Sequence, residues 1–328
     1  MGRAPATLPS LGARVCPVNA DGEHIAPEML LAARVSALAP GGEMGGSSVA
    51  QARRLLELNS GVIAERTPPL AVVEDLLIDG ELPATRYRAE VSSSGLVIFF
   101  HGGGFVLGSR SSHDAYCRRL AIDSGLDVLS VEYRLAPEHP FPAALDDALA
   151  AWRFAVARAP QWGVPLDRLV VAGDSAGGNL AAVIAQQVRG EQVVPALQLL
   201  IYPVTELART GGSRDEFAKG YFLTADRMDW FTQNYVPAGT DPADPRISPL
   251  LAADLSGLPP AYVIVAGFDP LRDEGLAYAD ALGAAGVRVQ LQREGSLIHG
   301  FINMAGFSPT AQQAVSRMHS AVTRTLGA

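Results

Sequence analysis

Six short apolar runs punctuate the chain between residues 96 and 294: LVIFF (96–100), DVLSVEY (127–133), RLVVAG (168–173), LQLLIYP (197–203), AYVIVAG (261–267) and VRVQLQRE (287–294). Between them lie stretches with apolar residues at helical spacing, FPAALDDALAAWRFAVAR (141–158) and EGLAYADALGAAG (274–286) among them. Strands separated by helices imply parallel crossovers, and a parallel sheet is covered on both faces. The pattern therefore implies an α/β core around a mostly parallel sheet. Two earlier segments, LAVVEDLLID (70–79) and LPATRYRAE (82–90), flank Gly80 and suit an antiparallel opening pair, which brings the strands to eight.

Two regions break the alternation. Residues 20–65 read as helical and precede the sheet. Residues 205–245 interrupt it and concentrate aromatic side chains: Phe217, Tyr221, Phe222, Trp230, Phe231 and Tyr235. Together they are expected to cap the C-terminal edge of the sheet, the aromatic stretch also packing a small core of its own. The expected organisation is an N-terminal segment and cap part (1–65), a first core part (66–204), a cap insertion (205–245) and a second core part (246–328). Residues 1–20 read as a disordered lead-in.

A net charge of −8 with no basic run argues against nucleic acid or an anionic membrane surface as partner. No apolar run approaches the ~18–20 residues of a membrane span. The first fifteen residues lack a secretory apolar region, and Ala6 stands where a myristoylation motif needs Ser or Thr. A cytoplasmic protein is expected. Cys16 and Cys117 make no disulfide framework and read as two buried thiols. Lys219 is the only lysine, so arginine carries nearly all positive charge, either through biased coding or for ion-pair networks.

Two glycine-rich motifs carry chemistry. Gly173-Asp174-Ser175-Ala176-Gly177 fits G-x-S-x-G, a pattern expected by chance about 0.2 times in such a chain. Its setting adds weight: it follows a strand and opens a helix, where close-spaced glycines permit a tight turn that exposes a serine hydroxyl. His101-Gly102-Gly103-Gly104-Phe105 follows LVIFF, and its first four residues are expected by chance roughly 0.006 times. Such glycines free backbone N–H groups to turn toward an oxyanion. Gly103 and Gly104, with the N–H of Ala176, would supply the donors. A phosphate cradle is disfavoured, because neither Gly-Lys-Ser/Thr nor G-x-G-x-x-G follows.

A serine nucleophile needs a base and an acid. In the chain order Ser, acid, His, only His299 and His319 follow Ser175. His319 lies in a closing helical stretch and is expected on a helix surface; His299, just after the last strand and before Gly300, is preferred. Of nine aspartates between Ser175 and His299, Asp269 alone follows an apolar strand directly. Asp273, the alternative, falls in a first helical turn, where a carboxylate complements the dipole. No Cys/His cluster suggests a metal, and no cofactor is implied.

HGGGFVLGS (101–109), YRLAPEHPFPAALDD (133–147), GDSAGGNLA (173–181), DPLRDEG (269–275) and LIHGF (297–301) together resemble the hormone-sensitive-lipase-like, bacterial family IV esterases. The resemblance runs from about residue 65 to the C-terminus. It implies an α/β-hydrolase fold with an eight-stranded sheet and helical cap. It also implies a Ser175–Asp269–His299 triad and an oxyanion hole from Gly103, Gly104 and Ala176. His101 and Gly102 would brace the glycine loop, and YRLAPEHPFPAALDD would be scaffold, its charged residues anchoring the loop to the next helix. The implied function is hydrolysis of carboxylic esters through an acyl-enzyme, and the aromatic cap over a confined pocket suits short- to medium-chain esters. A non-catalytic small-molecule binder on the same fold and an amide-hydrolysing serine hydrolase remain alternatives. A homodimer through VRVQLQRE is also implied.

Overall fold

The computed structural model describes residues 16–38, 48–63, 65–90 and 93–327. Residues 1–15 of the expected lead-in lie outside the described residues; within 16–20, Val18 already bridges to His24.

Two helices come first, α1 (Pro27–Leu38) and α2 (Val49–Ile63). The strands are β1 (Val72–Ile78), β2 (Leu82–Arg88), β3 (Leu96–Phe100), β4 (Asp127–Val131), β5 (Leu169–Asp174), β6 (Leu197–Ile201), β7 (Ala261–Phe268) and β8 (Val289–Ile298). The remaining helices are α3 (Asp114–Ser124), α4 (Ala143–Arg158), α5 (Ala176–Gln187), α6 (Ser213–Glu216), α7 (Ala225–Tyr235), α8 (Arg272–Ala284) and α9 (Pro309–Leu326). The sheet runs β1-β2-β4-β3-β5-β6-β7-β8, with β2 alone antiparallel to its neighbours. Among the described residues no helix is long and apolar enough to cross a membrane.

Strand alternation feeds two cores. Leu96, Ile98 and Phe100 of β3 point into the core shared with α4, α5 and α8, whereas Val97 and Phe99 enter the one shared with α1, α3 and α9. Burial on both faces is why the central strands read as unbroken apolar runs.

Three sequence expectations need correction. β8 does not stop at Glu294 but continues to Ile298, through a register shift opposite Ala266–Phe268. At Gly267 a Cβ would overlap the carbonyl of Gly295, so glycine at 267 lets the strands pass closely, while a Cβ at Gly295 would meet the Glu23 carboxylate. His319 is fully buried, not on a helix surface: its Nδ1 lies 3.0 Å from Asp123 Oδ2 and its Nε2 3.4 Å from the Tyr116 hydroxyl, joining α9 to α3. An imidazole beside the apolar stripe of α9 is buried because polar partners wait on the facing helix. Of the two cysteines, both free thiols, Cys117 is buried and Cys16 only partly so.

Arginine does hold structure together. Arg134 grips Asp147 through Nε and Nη2, at 3.0 and 2.7 Å, tying the 133–142 loop to α4. Arg86 and Arg88 both donate to the fully buried Asp127 at the start of β4, at 2.9 and 2.8 Å. Arg53 on α2 donates to the carbonyls of Val106 and Ala136, at 2.8 and 2.9 Å, and pairs with Glu138, clamping that helix to the loop after β3.

The backbone approaches tightly at Gly177 of α5, where a Cβ would overlap the carbonyl oxygen of Phe100. In an ordinary helix Gly→Ala gains up to about 1 kcal/mol. Here overpacking against main chain reverses the sign, and Gly177→Ala is expected to lower unfolding free energy by about 3 kcal/mol, read from urea melts. A neutral or stabilised variant would contradict the packing described.

Candidate active site

β5 ends at Asp174 and α5 begins at Ala176, leaving Ser175 alone in the turn with φ 54° and ψ −116°. That backbone costs on the order of 1–3 kcal/mol for a non-glycine residue and persists only where its surroundings over-determine it. Here they do. Ser175 N–H donates to Ile201 O (2.9 Å), and its carbonyl accepts from Asn179 N–H (3.0 Å) and Val204 N–H (3.1 Å). A Cβ at Gly173 would overlap the backbone of Gly177, so the turn closes only with glycine at both positions.

The extension of β8 delivers His299 directly past the strand end, and Asp269 follows β7 in the same way. His299 Nδ1–H donates to Asp269 Oδ2 at 2.7 Å, and the Ser175 hydroxyl donates to His299 Nε2 at 3.0 Å. Asp269 is fully buried, and its other oxygen accepts from Leu271 N–H at 2.8 Å, which fixes the carboxylate plane. This network sets the imidazole tautomer, leaving Nε2 as the acceptor that faces the serine. Three residues distant in the chain thus form one continuous hydrogen-bonded chain. The competing Asp273 is engaged elsewhere: it accepts from Ser213 N–H (2.8 Å) and Arg272 Nε (2.8 Å).

Gly103 and Gly104, at φ 127° and 61°, lie in the loop after β3. Among the described residues, neither their N–H groups nor that of Ala176 has a protein acceptor. His101 sits under this loop, fully buried. Its ring stacks on Tyr133 at 4.3 Å, its Nδ1 lies 2.9 Å from Gly102 O, and its carbonyl accepts from the Tyr133 hydroxyl at 2.6 Å. Burial, helped by neighbouring His113, pushes the His101 imidazole down to about 4, so it carries no charge at neutral pH.

Sequence reasoning missed the residue that joins loop to turn. Asp174 Oδ1 accepts from Gly102 N–H at 2.7 Å and lies 3.2 Å from His113 Nε2, while a Cβ at Gly102 would overlap the carboxylate. Burial raises this carboxyl's pKa, yet His113 and the Gly102 N–H outweigh it and hold the group below its ordinary value. The available signal was an acidic residue in the variable position before the serine. Tyr202 was missed as well; its ring backs His299 at 4.7 Å.

The hydrogen-bonded chain opens into a cavity of about 350 Å³ lined by α2 (Leu55, Leu56, Asn59) and α7 as well as by Ser175 and His299. α7 presents Arg227, Met228, Phe231, Thr232 and Tyr235 to it, the spacing of one helical face. Phe231 lies where a Cβ at Gly104 would be, and Tyr235 stacks on Phe105 at 3.8 Å, so the helix rests on the glycine loop. Phe217 instead packs with Tyr221 and Phe268 in a separate cluster. A larger, more polar depression of about 920 Å³ near β1 and α3 is lined by none of Ser175, Asp269 or His299.

A family model described as alpha/beta hydrolase fold matches residues 97–303. The chain belongs to the α/β-hydrolase fold family. This α/β-hydrolase is 46% identical over 267 residues to the carboxylic ester hydrolase LipN of Mycobacterium tuberculosis, covering 77% of this chain and 71% of that one. It is 40% identical over 286 residues to an ethyl acetate hydrolase of Pseudomonas putida, covering 84% and 90%. Among solved structures, an ester hydrolase from the metagenome of Lake Arreo, complexed with a bipyridine phosphonate derivative, superposes with a TM-score of 0.87 at 41% identity, covering 93% of this chain and 100% of that one. A hyperthermophilic esterase from Pyrobaculum calidifontis superposes with a TM-score of 0.85 at 39% identity, covering 93% and 99%. The likeness to hormone-sensitive-lipase-like esterases read from the motifs holds for the α/β-hydrolase described here.

Glu274, on the first turn of α8, lines the same cavity fully buried and accepts from Thr205 N–H (2.7 Å) and Glu206 N–H (3.3 Å). Burial pushes its pKa up to about 8, against the lowering pull of those two donors. The folded protein therefore holds a proton that the unfolded chain releases near its ordinary carboxyl value. The resulting stability is full below that value and is lost as pH rises through about 8. Glu274→Gln keeps the acceptor and cannot titrate. Urea midpoints are expected to show the variant gaining on wild type between about pH 5 and about pH 8. A constant difference across that range would contradict this.

Proposed function

We propose that the α/β-hydrolase is a serine carboxylesterase acting on short- to medium-chain esters. The observation that carries the proposal is the continuous Ser175–His299–Asp269 hydrogen-bond chain opening into a capped cavity. In this reading His299 Nε2 takes the hydroxyl proton as Ser175 Oγ attacks the ester carbonyl, and Asp269 stabilises the imidazolium. The carbonyl oxygen, now an oxyanion, accepts from the N–H groups of Gly103, Gly104 and Ala176. His299 then protonates the departing alcohol. Water, deprotonated by the same imidazole, attacks the acyl-Ser175 ester, and the imidazolium returns the proton to Ser175 Oγ as that bond breaks and the acid leaves.

The described helices α1 and α2 and the segment 205–245 form the cap in this proposal, and the modest cavity under Phe231 is what favours short acyl chains. The ester activities named for the relatives from M. tuberculosis and P. putida support the reaction class. Pairing of two copies through β8, which ends the sheet, and a cytoplasmic location, in keeping with two free thiols, belong to the same proposal.

Ser175→Ala is expected to fold with an unchanged melting profile and to lose on the order of 10⁶-fold in kcat on p-nitrophenyl butyrate. Residual activity within tenfold of wild type would overturn the assignment. Across p-nitrophenyl esters of increasing length, kcat/KM is expected to fall from butyrate to palmitate. The opposite trend would remove the chain-length part of the proposal.

A further inference from the structure

The pocket-facing stripe of α7 contains one residue that hydrophobic burial does not explain. Arg227 stands one turn before Phe231 and two before Tyr235, on the face turned to the cavity shared with Ser175 and His299. Its Nη1 donates to the carbonyl of Phe222 at 3.3 Å, and its guanidinium lies 6.0 Å from the Phe222 ring centroid. Its Nε is shielded from solvent and has no hydrogen-bond partner. Among the described residues no carboxylate pairs with it, and burial alone acts on its pKa, downward.

The other ionisable groups around the cavity are already matched. Arg214 pairs with Asp229 at 2.6 Å, Glu206 with Arg209 at 3.1 Å, and Asp174 is held by Gly102 and His113. Glu274 is protonated at neutral pH. Arg227 is thus the cation left without a counter-charge among the described lining residues. A guanidinium keeps its charge even when half-buried, and leaving a desolvated donor unpaired is costly. Its planar fork is shaped for a carboxylate.

We propose that Arg227 is a specificity determinant that receives a carboxylate on the substrate, making half-esters of short dicarboxylic acids a preferred substrate class. The inference rests on the esterase reading, since it names what enters the same cavity. The anion pairs with the part of the guanidinium that lines the cavity while the ester end reaches Ser175. The Phe222 ring edge lies 3.1 Å from where a Cβ at Gly300, the residue after His299, would be.

Two measurements test this. The first is kcat/KM for monoethyl succinate divided by that for ethyl butyrate, two esters of similar length that differ in charge. Arg227→Gln is expected to lower this ratio by about tenfold, mainly through KM for the half-ester, with Arg227→Lys recovering part of it. A purely structural role, bracing the Phe222 carbonyl, would change both substrates in proportion and leave the ratio fixed; that result would overturn the proposal. The second is calorimetric binding of monoethyl succinate to Ser175→Ala protein, which needs no turnover. Binding is expected to weaken by about tenfold when Arg227→Gln is added, and equal affinity with and without it would overturn the proposal. Failure of wild type to cleave either ester would instead count against the esterase reading.

Discussion

Ser175 occupies a left-handed backbone conformation at the end of a parallel strand, and most of the architecture around it serves to hold that conformation. Its N–H and carbonyl are bonded to β6 and to the chain beyond it, its neighbours at 173 and 177 are glycine, and α5 starts at the next residue. The strain raises the hydroxyl above the sheet edge and leaves the N–H of Ala176 beside it. A sheet covered on both faces supplies the rigidity that such strain requires.

The same turn organises its surroundings through Asp174. One carboxylate, buried and kept ionised by His113 and the Gly102 N–H, fastens the glycine loop to the turn. The glycine loop and the hydroxyl at 175 are thereby held in a constant relation, which is what the proposed oxyanion binding requires. Above them, Phe231 and Tyr235 rest on the loop, and Arg53 pins α2 to its far end. α7 and α2 are thus joined to the core at the glycine loop beside Ser175.

Much of this was legible in the sequence because its physical causes are local. A strand buried on both faces writes itself as an apolar run, as in LVIFF and AYVIVAG, and a strained turn demands glycines at short spacing. The position of His299 was legible as a loop residue after a strand, although that strand runs four residues further than its pattern suggested. What stayed hidden depends on partners brought together only by folding. The last strand reads as ending at Glu294 until its register shift opposite Ala266–Phe268 is seen. His319 reads as a surface residue until Asp123 and Tyr116 face it across two helices. Asp174 is one acidic residue among many until the N–H of Gly102 points at it, and Arg227 is one of many arginines until its helix is docked on the cavity.

The central claim is that the hydroxyl of Ser175 is the nucleophile and that the N–H groups of Gly103, Gly104 and Ala176 hold the oxyanion. A crystal structure of the protein after inactivation by a p-nitrophenyl alkylphosphonate tests both parts at once. The account predicts phosphorus bonded to Ser175 Oγ, with the phosphoryl oxygen within about 3 Å of those three nitrogens. An adduct on another residue, or a phosphoryl oxygen turned away from the glycine loop, would contradict it.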